Sequence, residues 1–549
     1  MRLLFLLLSI TFITGSGSAQ TYRQLRDSAA HARDRKAYDS AFVLLSRGVS
    51  IARQPYHDDL YAAAALAVLS HQPFDTAAAY LRRLIREGEW AMITGDASAD
   101  QDLAPMRNSP IWGELTEEAM KANVVNDLAV RNAIFHTIRF QDSLLALGYP
   151  DTTAADLYQA LRHYNRFPAL SPGAMLPFAV SVNDSVQGYF SVLLPPAYDP
   201  VRPTPVVVVL HGAVFDNLGL PAPLDLQQHA ADDTAGFNRF ITRLGSAAGA
   251  IMVFPHANYA FNWMYPESGF GMIPRIVSLL KRLCNVDDNR VYLYGHSNGA
   301  TGVISYLLKA PSPYAGFCGF NSNPRVATGG TFILNALDRS YYNVSTDKDY
   351  YFPLPGHDTL SRITRSLGID WQNHVYPGFP HWFPDFDESA PAFAAMFADI
   401  SHRTRDPFHP SLYWECDDVT HGRCDWLRID RLDTLTAAAA WQRRINFTAA
   451  HWLQHPDSAA PAFKFPRLSG AVRARYASNR FSLETSRVGR ITLFISPSMV
   501  DLSRPVVITV NGREVFRKFV GYDRGVMIHE FGTTFDRTAV WVNAVAIDL

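Results

Sequence analysis

A mostly parallel α/β sheet flanked by helices, with an all-α segment before it and an all-β, sandwich-like segment after it, is the architecture this 549-residue chain predicts. Three observations carry that expectation. Ala-rich sequence with apolar residues at three- and four-residue steps occupies the N-terminal part. The middle alternates helical stretches with short apolar runs: "PVVVVLHG", "AIMVFPHA", "RVYLYGHS", "YAGFCGFN", "SYYNVST" and "WQNHVYP". Beyond about Asp406 the alternation stops, and short segments rich in Val, Ile, Thr and Phe follow, such as "FSLETSRVGRITLFISP" and "PVVITVNGREVFRKFV".

Residues 1–19, "MRLLFLLLSITFITGSGSA", have a basic Arg2, an apolar core and a run of small residues, the layout of a secretory signal peptide with cleavage expected after Ala19. No cysteine follows that core, so a lipid anchor is not indicated and a secreted or periplasmic protein is expected. Residues 20–123 read as a helical segment. Its clearest passage, "YAAAALAVLSHQPFDTAAAYLRRLIREGEW", gives two helices joined at "SHQPFD", the second carrying Ala77, Tyr80, Leu81 and Leu84. The passage resembles a tetratricopeptide-type hairpin. A self-standing array needs about three such repeats, so docking of a protein partner, or support for the rest of the chain, is the role expected for it. Residues 124–170 form a helical linker that ends at "FPALSPGAMLP", where three prolines and a glycine break the pattern. Residues 171–405 form the α/β domain, opening with a hairpin around "NDS". Residues 406–549 form the β domain, with "NG" at Asn511 as a hairpin turn.

Composition narrows the function classes. Apolar residues make up 48% and charged residues 18%, a globular balance, and no run after the leader approaches a membrane span. With a net charge of -1 there is no global basic field for nucleic acid or anionic lipid. Export makes the four cysteines disulfide candidates, with locality favouring Cys416 with Cys424 and leaving Cys284 with Cys318. His421 lies inside the first loop, but an oxidising compartment turns neighbouring thiols into disulfides, so no metal is expected there.

The chemistry centres on "GHSNG". Ser297 lies between Gly295 and Gly299, fed by the apolar strand "RVYLY" and followed by the helical "ATGVISYLLKA", which is the strand–turn–helix setting of a nucleophile elbow. A serine hydroxyl needs a base, and "WQNHVYPGFPHWFPDF" offers His374 within a strand and His381 in the Gly/Pro loop after it. His381 is the better placed, because active-site loops leave an open parallel sheet at the strand ends. A carboxylate must orient the imidazole, and "SYYNVSTDKDYYFPLPG" supplies Asp347 and Asp349.

The order serine, acid, histidine is that of the α/β-hydrolase fold, and residues 178–400 resemble that superfamily. "LCNVDDNRVYLYGHSNGA" resembles secreted polyhydroxybutyrate depolymerase-like and feruloyl or acetylxylan esterase-like hydrolases, with Ala300 in place of a glycine often found there. "TFILNALDRSYYNVSTDKDYYFP" resembles the prolyl oligopeptidase-type esterases and peptidases. The resemblance implies Asp349 as the acid, four residues before Pro353, although Ser345 rather than glycine stands in the turn before it; Asp347 remains the alternative. It also implies an oxyanion hole built from the amides of Ala213, after "LHG", and Asn298, with His211 structural. Trp263, Tyr265 and Trp382 are candidates to line the pocket mouth and stack on a sugar or aromatic acyl group. The triplets at Asn343 and Asn446 carry little weight as glycosylation sites.

The expected function is a secreted serine esterase with Ser297, His381 and Asp349 as triad, no cofactor, and an acylated glycan or polyester among the candidate substrates. A prolyl oligopeptidase-like peptidase is the rival enzyme, though such peptidases usually carry their β domain as an N-terminal propeller. A third possibility, from another class, is a catalytically inactive hydrolase fold that only binds.

Overall fold

The computed structural model describes residues 21–52, 55–86, 92–93, 97, 100–148, 152–173, 175–183, 186–212, 234, 236–258, 261–264, 269–450 and 459–549. The expected leader, the Ala213 amide and Tyr265 lie outside the described residues. The chain divides into two compact units, one of residues 1–84 and 97–115, the other of 85–96 and 116–549.

In the first unit, helices Tyr22–Asp34, Tyr38–Ile51, His57–Leu69 and Phe74–Arg86 follow one another with short turns, the last two joined at the predicted "SHQP". Thr21 opens the series with a capping box, its hydroxyl accepting from the Gln24 amide while the Gln24 side chain accepts from the Thr21 amide. Ala63, Ala64, Ala67, Ala77 and Ala78 are fully buried. Small side chains at such positions let helices approach closely. Tyr22 Oη donates to Asp59 Oδ2 at 2.5 Å and Arg26 pairs with the same carboxylate at 3.2 Å, fastening the first helix to the third.

The expected boundary at residues 123/124 is not a boundary. Helix Pro110–Leu147 runs straight through it, because no Pro or Gly interrupts the sequence from Glu114 to Leu147. None of the helices among the described residues is long and apolar enough to cross a membrane.

The core of the second unit is an eight-stranded sheet: β1 Met175–Ser181, β2 Gln187–Leu193, β3 Thr204–Leu210, β4 Ile251–Pro255, β5 Val286–His296, β6 Gly316–Phe320, β7 Tyr341–Thr346 and β8 Trp371–Tyr376. Their spatial order is β1-β2-β4-β3-β5-β6-β7-β8. The β1–β2 hairpin is antiparallel and β2 pairs antiparallel with β4; every other pairing is parallel. Parallel strands are covered on both faces, which is why "PVVVVL" is apolar at every position: Val206 and Val208 enter one core, Val207 and Val209 the other. Helices Met272–Leu283 and Asn298–Lys309 cover the first face, and Arg239–Ala247 and Ala390–Ile400 the second. This is the mostly parallel sheet flanked by helices that the sequence implied.

Residues 406–549 contribute two facing sheets. One has five strands, running in space from Arg513–Lys518 to Ser411–Cys416, and the other four, from Arg423–Cys424 to Asn543–Asp548. Trp414, Val472, Leu483 and Ile508 meet Ile429, Ile491, Leu493 and Val545 between them. The Asn511–Gly512 turn has positive φ at both residues, 48° and 81°, as a two-residue hairpin loop requires. Two expectations need correction. The region is not all-β, since helix Arg524–Thr534 lies within it, and it does not stand apart as a separate domain. That helix packs Met527 and Phe531 on Leu157 and Leu161. A buried ionic cluster reinforces the junction: Asp536 accepts from Lys281 and Arg405, each at 2.8 Å, and Lys281 also pairs with Asp288 at 3.0 Å.

The disulfide expectation is also overturned, for all four cysteines are buried free thiols. Cys284 and Cys318 belong to cores on opposite faces of the central sheet, and Cys416 and Cys424 lie on strands of opposite sheets of the sandwich. Burial pushes the Cys284 and Cys416 thiols up to about 12, so neither is a ready thiolate.

Candidate active site

Strand β5 ends at His296, and helix Asn298–Lys309 starts two residues later. Ser297 between them has φ 55° and ψ -120°, a conformation that non-glycine residues rarely adopt and that costs about 1–3 kcal/mol. The surrounding packing enforces it. The Ser297 amide donates to the Phe320 carbonyl at 3.0 Å, and a Cβ on Gly299 would stand 1.9 Å from the Leu210 carbonyl oxygen. Only glycine fits there, so the elbow glycine follows from the approach of β3.

His381 and Asp349 come to this turn from the loops after β8 and β7. Ser297 Oγ lies 2.9 Å from His381 Nε2, and His381 Nδ1 lies 2.8 Å from Asp349 Oδ2. With Nδ1–H donating to the carboxylate, Nε2 is left to accept from the serine hydroxyl. His381 and Asp349 are both buried. Asp349 Oδ1 accepts from the amides of Tyr351 and Phe352 at 2.8 and 3.0 Å, and Asn321 Nδ2 donates to Oδ2 at 2.9 Å. Burial raises the Asp349 carboxyl, but the His381 hydrogen bond and charge, with Asn321 and the Phe352 amide, outweigh it and hold the group below its ordinary value. The carboxylate is thus kept ionised beside the imidazole.

The sequence left two acids open, and they take different places. Asp347 points to a turn instead, accepting from the Gly378 amide at 2.6 Å. His374 stays in β8, stacked on Tyr342. Asn298 is the first residue of its helix, where the amide has no partner within the helix, and the residue lines the cavity that holds Ser297. His211 acts as expected: Nδ1–H donates to the Gly212 carbonyl at 2.8 Å and Nε2 accepts from the Ala257 amide at 3.0 Å. Burial lowers it to about 4, so it is neutral.

The cavity beside Ser297 measures about 560 Å³. Phe237, Met264, Val326 and Trp382 give it apolar walls. Of the three expected aromatics, Trp382 lines it and Trp263 does not. Trp263 is 1% exposed, its ring edge-on to His211 at 4.6 Å, and serves the core. Four participants escaped the sequence reading: Asn321, which orients the acid; His296, which donates to the His381 carbonyl at 2.8 Å; and Asn323 and Arg325 in the cavity wall. Only Asn321 had a local signal, its position directly after β6.

No family model matches the chain, and no curated protein matches it. Among solved structures it is similar to a thermostable esterase (18% identity, TM-score 0.34), over 42% of this chain and 63% of the esterase. It is also similar to Porphyromonas gingivalis dipeptidyl peptidase 4 (10% identity, TM-score 0.32), over 45% of this chain and 37% of the peptidase. A third similarity is to an S-formylglutathione hydrolase from Agrobacterium tumefaciens (12% identity, TM-score 0.32), over 44% of this chain and 99% of that one. The matched part spans less than two thirds of the first two proteins, and similarity at this level does not bear on the substrate.

Proposed function

We propose that the protein is a serine hydrolase that cleaves a carboxylic ester through an acyl-enzyme. The observation that carries this is the unbroken relay Asp349–His381–Ser297, with contacts of 2.8 and 2.9 Å, opening on a cavity of about 560 Å³. Ser297 Oγ attacks the ester carbonyl while His381 Nε2 takes its proton, and Asp349 stabilises the imidazolium that forms. The carbonyl oxygen gathers negative charge, which the Asn298 amide and the positive end of its helix stabilise together with the Ala213 amide. His381 then protonates the departing alcohol. A water molecule activated by the same imidazole cleaves the acyl-enzyme and restores Ser297.

An ester is favoured over a prolyl peptide bond because the arrangement differs from the prolyl oligopeptidase type: the described N-terminal part is helical and the β region follows the sheet domain. A fluorophosphonate probe tests the nucleophile. Labelling of the wild type and not of Ser297→Ala supports catalysis, whereas a wild type that resists labelling makes this a binding protein. Para-nitrophenyl acyl esters, feruloyl sugars and prolyl amides, assayed side by side, then separate esterase from peptidase.

A further inference from the structure

We propose that the substrate is an anionic ester, one that carries a carboxylate close to the scissile bond, and that Arg325 is the residue that receives it. This rests on the serine-hydrolase reading of the same cavity.

Arg325 stands apart from the buried cations of the second unit. The buried cations of that unit, Arg239, Lys281, Lys309, Arg339 and Arg405, are each matched by an aspartate. Arg325 is half-buried in the cavity wall and has no carboxylate partner among the described residues. Burial lowers its hold on its proton below the ordinary value, as desolvation without a compensating anion does. The described cavity lining adds a second cation, Lys464, and includes neither Asp nor Glu. The charged side chains among the described lining residues are thus cations, which favour a negatively charged ligand.

An independent observation lies two residues away. Asn323 is 8% exposed, lines the cavity, and its Oδ1 is buried without a hydrogen-bond partner among the described residues. An unsatisfied buried amide oxygen is costly unless a ligand supplies the donor. A ligand that offers a hydroxyl or N–H to Asn323 and a carboxylate to Arg325 satisfies both groups. A guanidinium fork matches a carboxylate with two parallel hydrogen bonds. The planar pair of donors that the fork presents suits the two oxygens of a carboxylate.

The segment that carries these groups is firmly held. The Arg325 amide donates to the Asn323 carbonyl at 2.8 Å, and the Val326 amide donates to Thr331 Oγ1 at 3.2 Å. From the β region, Asp417 accepts from the Gly330 amide at 2.8 Å and faces Lys309 at 3.7 Å. Lys464 also comes from the chain beyond the sheet domain. The β region thereby shapes the specificity wall of the cavity.

Two ester pairs of matched size test the inference on the full chain. Para-nitrophenyl hemiglutarate against para-nitrophenyl valerate places the carboxylate on the acyl side, and para-acetoxybenzoate against para-acetoxybenzamide places it on the alcohol side. In one pair the anionic ester should exceed its neutral counterpart in kcat/KM by about ten- to a hundredfold, the worth of a charge-assisted contact. That ratio should collapse toward unity in Arg325→Leu, survive in part in Arg325→Lys, and fall as salt is raised. Fluorophosphonate titration counts the folded sites of each variant. Ratios near unity in both pairs of the wild type, or a preference unchanged by Arg325→Leu, overturn the inference and leave the hydrolase reading standing if the neutral esters turn over. Should no ester turn over, the hydrolase reading falls and binding decides. Calorimetric titration of Ser297→Ala with the same four esters upholds the site if the anionic member of a pair binds more tightly and Arg325→Leu removes the difference; equal binding refutes it.

Discussion

The Nε2–H of His296 donates to the backbone carbonyl of His381 at 2.8 Å, so the residue just before Ser297 directly holds the loop that brings the imidazole. Two elements far apart in sequence are thus fixed by one bond at the place where a small displacement matters most, since serine and imidazole must stay within hydrogen-bond reach. His296 is buried, stacked on Phe237, and burial lowers it to about 3, so this donor does not titrate near neutral pH. His296→Leu is expected to lower kcat about tenfold or more with little change in KM, and His296→Gln, which keeps a donor, to recover part of the loss. Equal rates in wild type and His296→Leu would show that the loop holds itself.

The two candidate acids are separable by substitution. Asp349→Asn preserves shape but removes the charge that fixes the Nδ1–H tautomer, and a loss of kcat of about 10⁴ is expected. Asp347→Asn weakens one hydrogen bond to the Gly378 turn and should leave kcat within a few-fold of wild type. Stopped-flow acylation with a para-nitrophenyl ester reads both. The reverse ranking would transfer the acid role to Asp347.

Three buried histidines set the response to acid. Burial lowers His211 to about 4, His296 to about 3 and His357 to about 4, against an ordinary 6.5. Between about pH 6.5 and about pH 4 the unfolded chain therefore binds protons that the folded chain refuses, so the unfolded state gains as pH falls and stability is full only above that window. Each histidine contributes up to about 1.4 kcal/mol per pH unit within it. Thermal unfolding followed by intrinsic fluorescence should show Tm falling steadily as pH drops from about 6.5, and His357→Asn should flatten the slope. A Tm that holds constant down to about pH 4.5 would contradict neutral burial of these rings.

How far the sequence reached depends on whether a feature is local. Ser297, Asp349 and His381 were legible because an elbow pentapeptide, a strand context and a chain order are linear properties. Trp263 was misplaced because a loop tryptophan reads the same whether it lines a pocket or fills a core; here its ring occupies the space over Gly302, where a Cβ would stand 2.3 Å from Trp263 Cδ1. The cysteine pairing failed because sequence spacing does not reveal which face of a sheet a thiol joins. Helix Arg524–Thr534, "RGVMIHEFGTT", went unseen because its glycines, threonines and valine oppose helix formation, and packing of Met527 and Phe531 overrides them. Arg325 carried no signal at all, since the lack of a carboxylate partner among the described residues is a property of the folded chain alone.

Asp536 offers the sharpest test of whether the β region and the α/β-hydrolase sheet domain are one body. Its carboxylate is buried between Lys281 and Arg405, and although burial acts to raise it, those two charges hold it far below the ordinary carboxylate range. Asp536→Asn keeps the shape and removes the anion, leaving Arg405 with an uncompensated charge and Lys281 with Asp288 as its remaining partner. Breaking a buried pair from one side costs about 3–5 kcal/mol, because the desolvation of the surviving charge is no longer offset. Differential scanning calorimetry should therefore show residues 116–549 melting in one transition at a clearly lower temperature, with the far-ultraviolet and tryptophan signals moving together. A separate early transition of the β region in the wild type, or an Asp536→Asn variant as stable as its parent, would mean that the ionic cluster does not join the two. Because Asp536 is remote in sequence from the triad and touches none of it, turnover by the folded variant at low temperature should match the wild type.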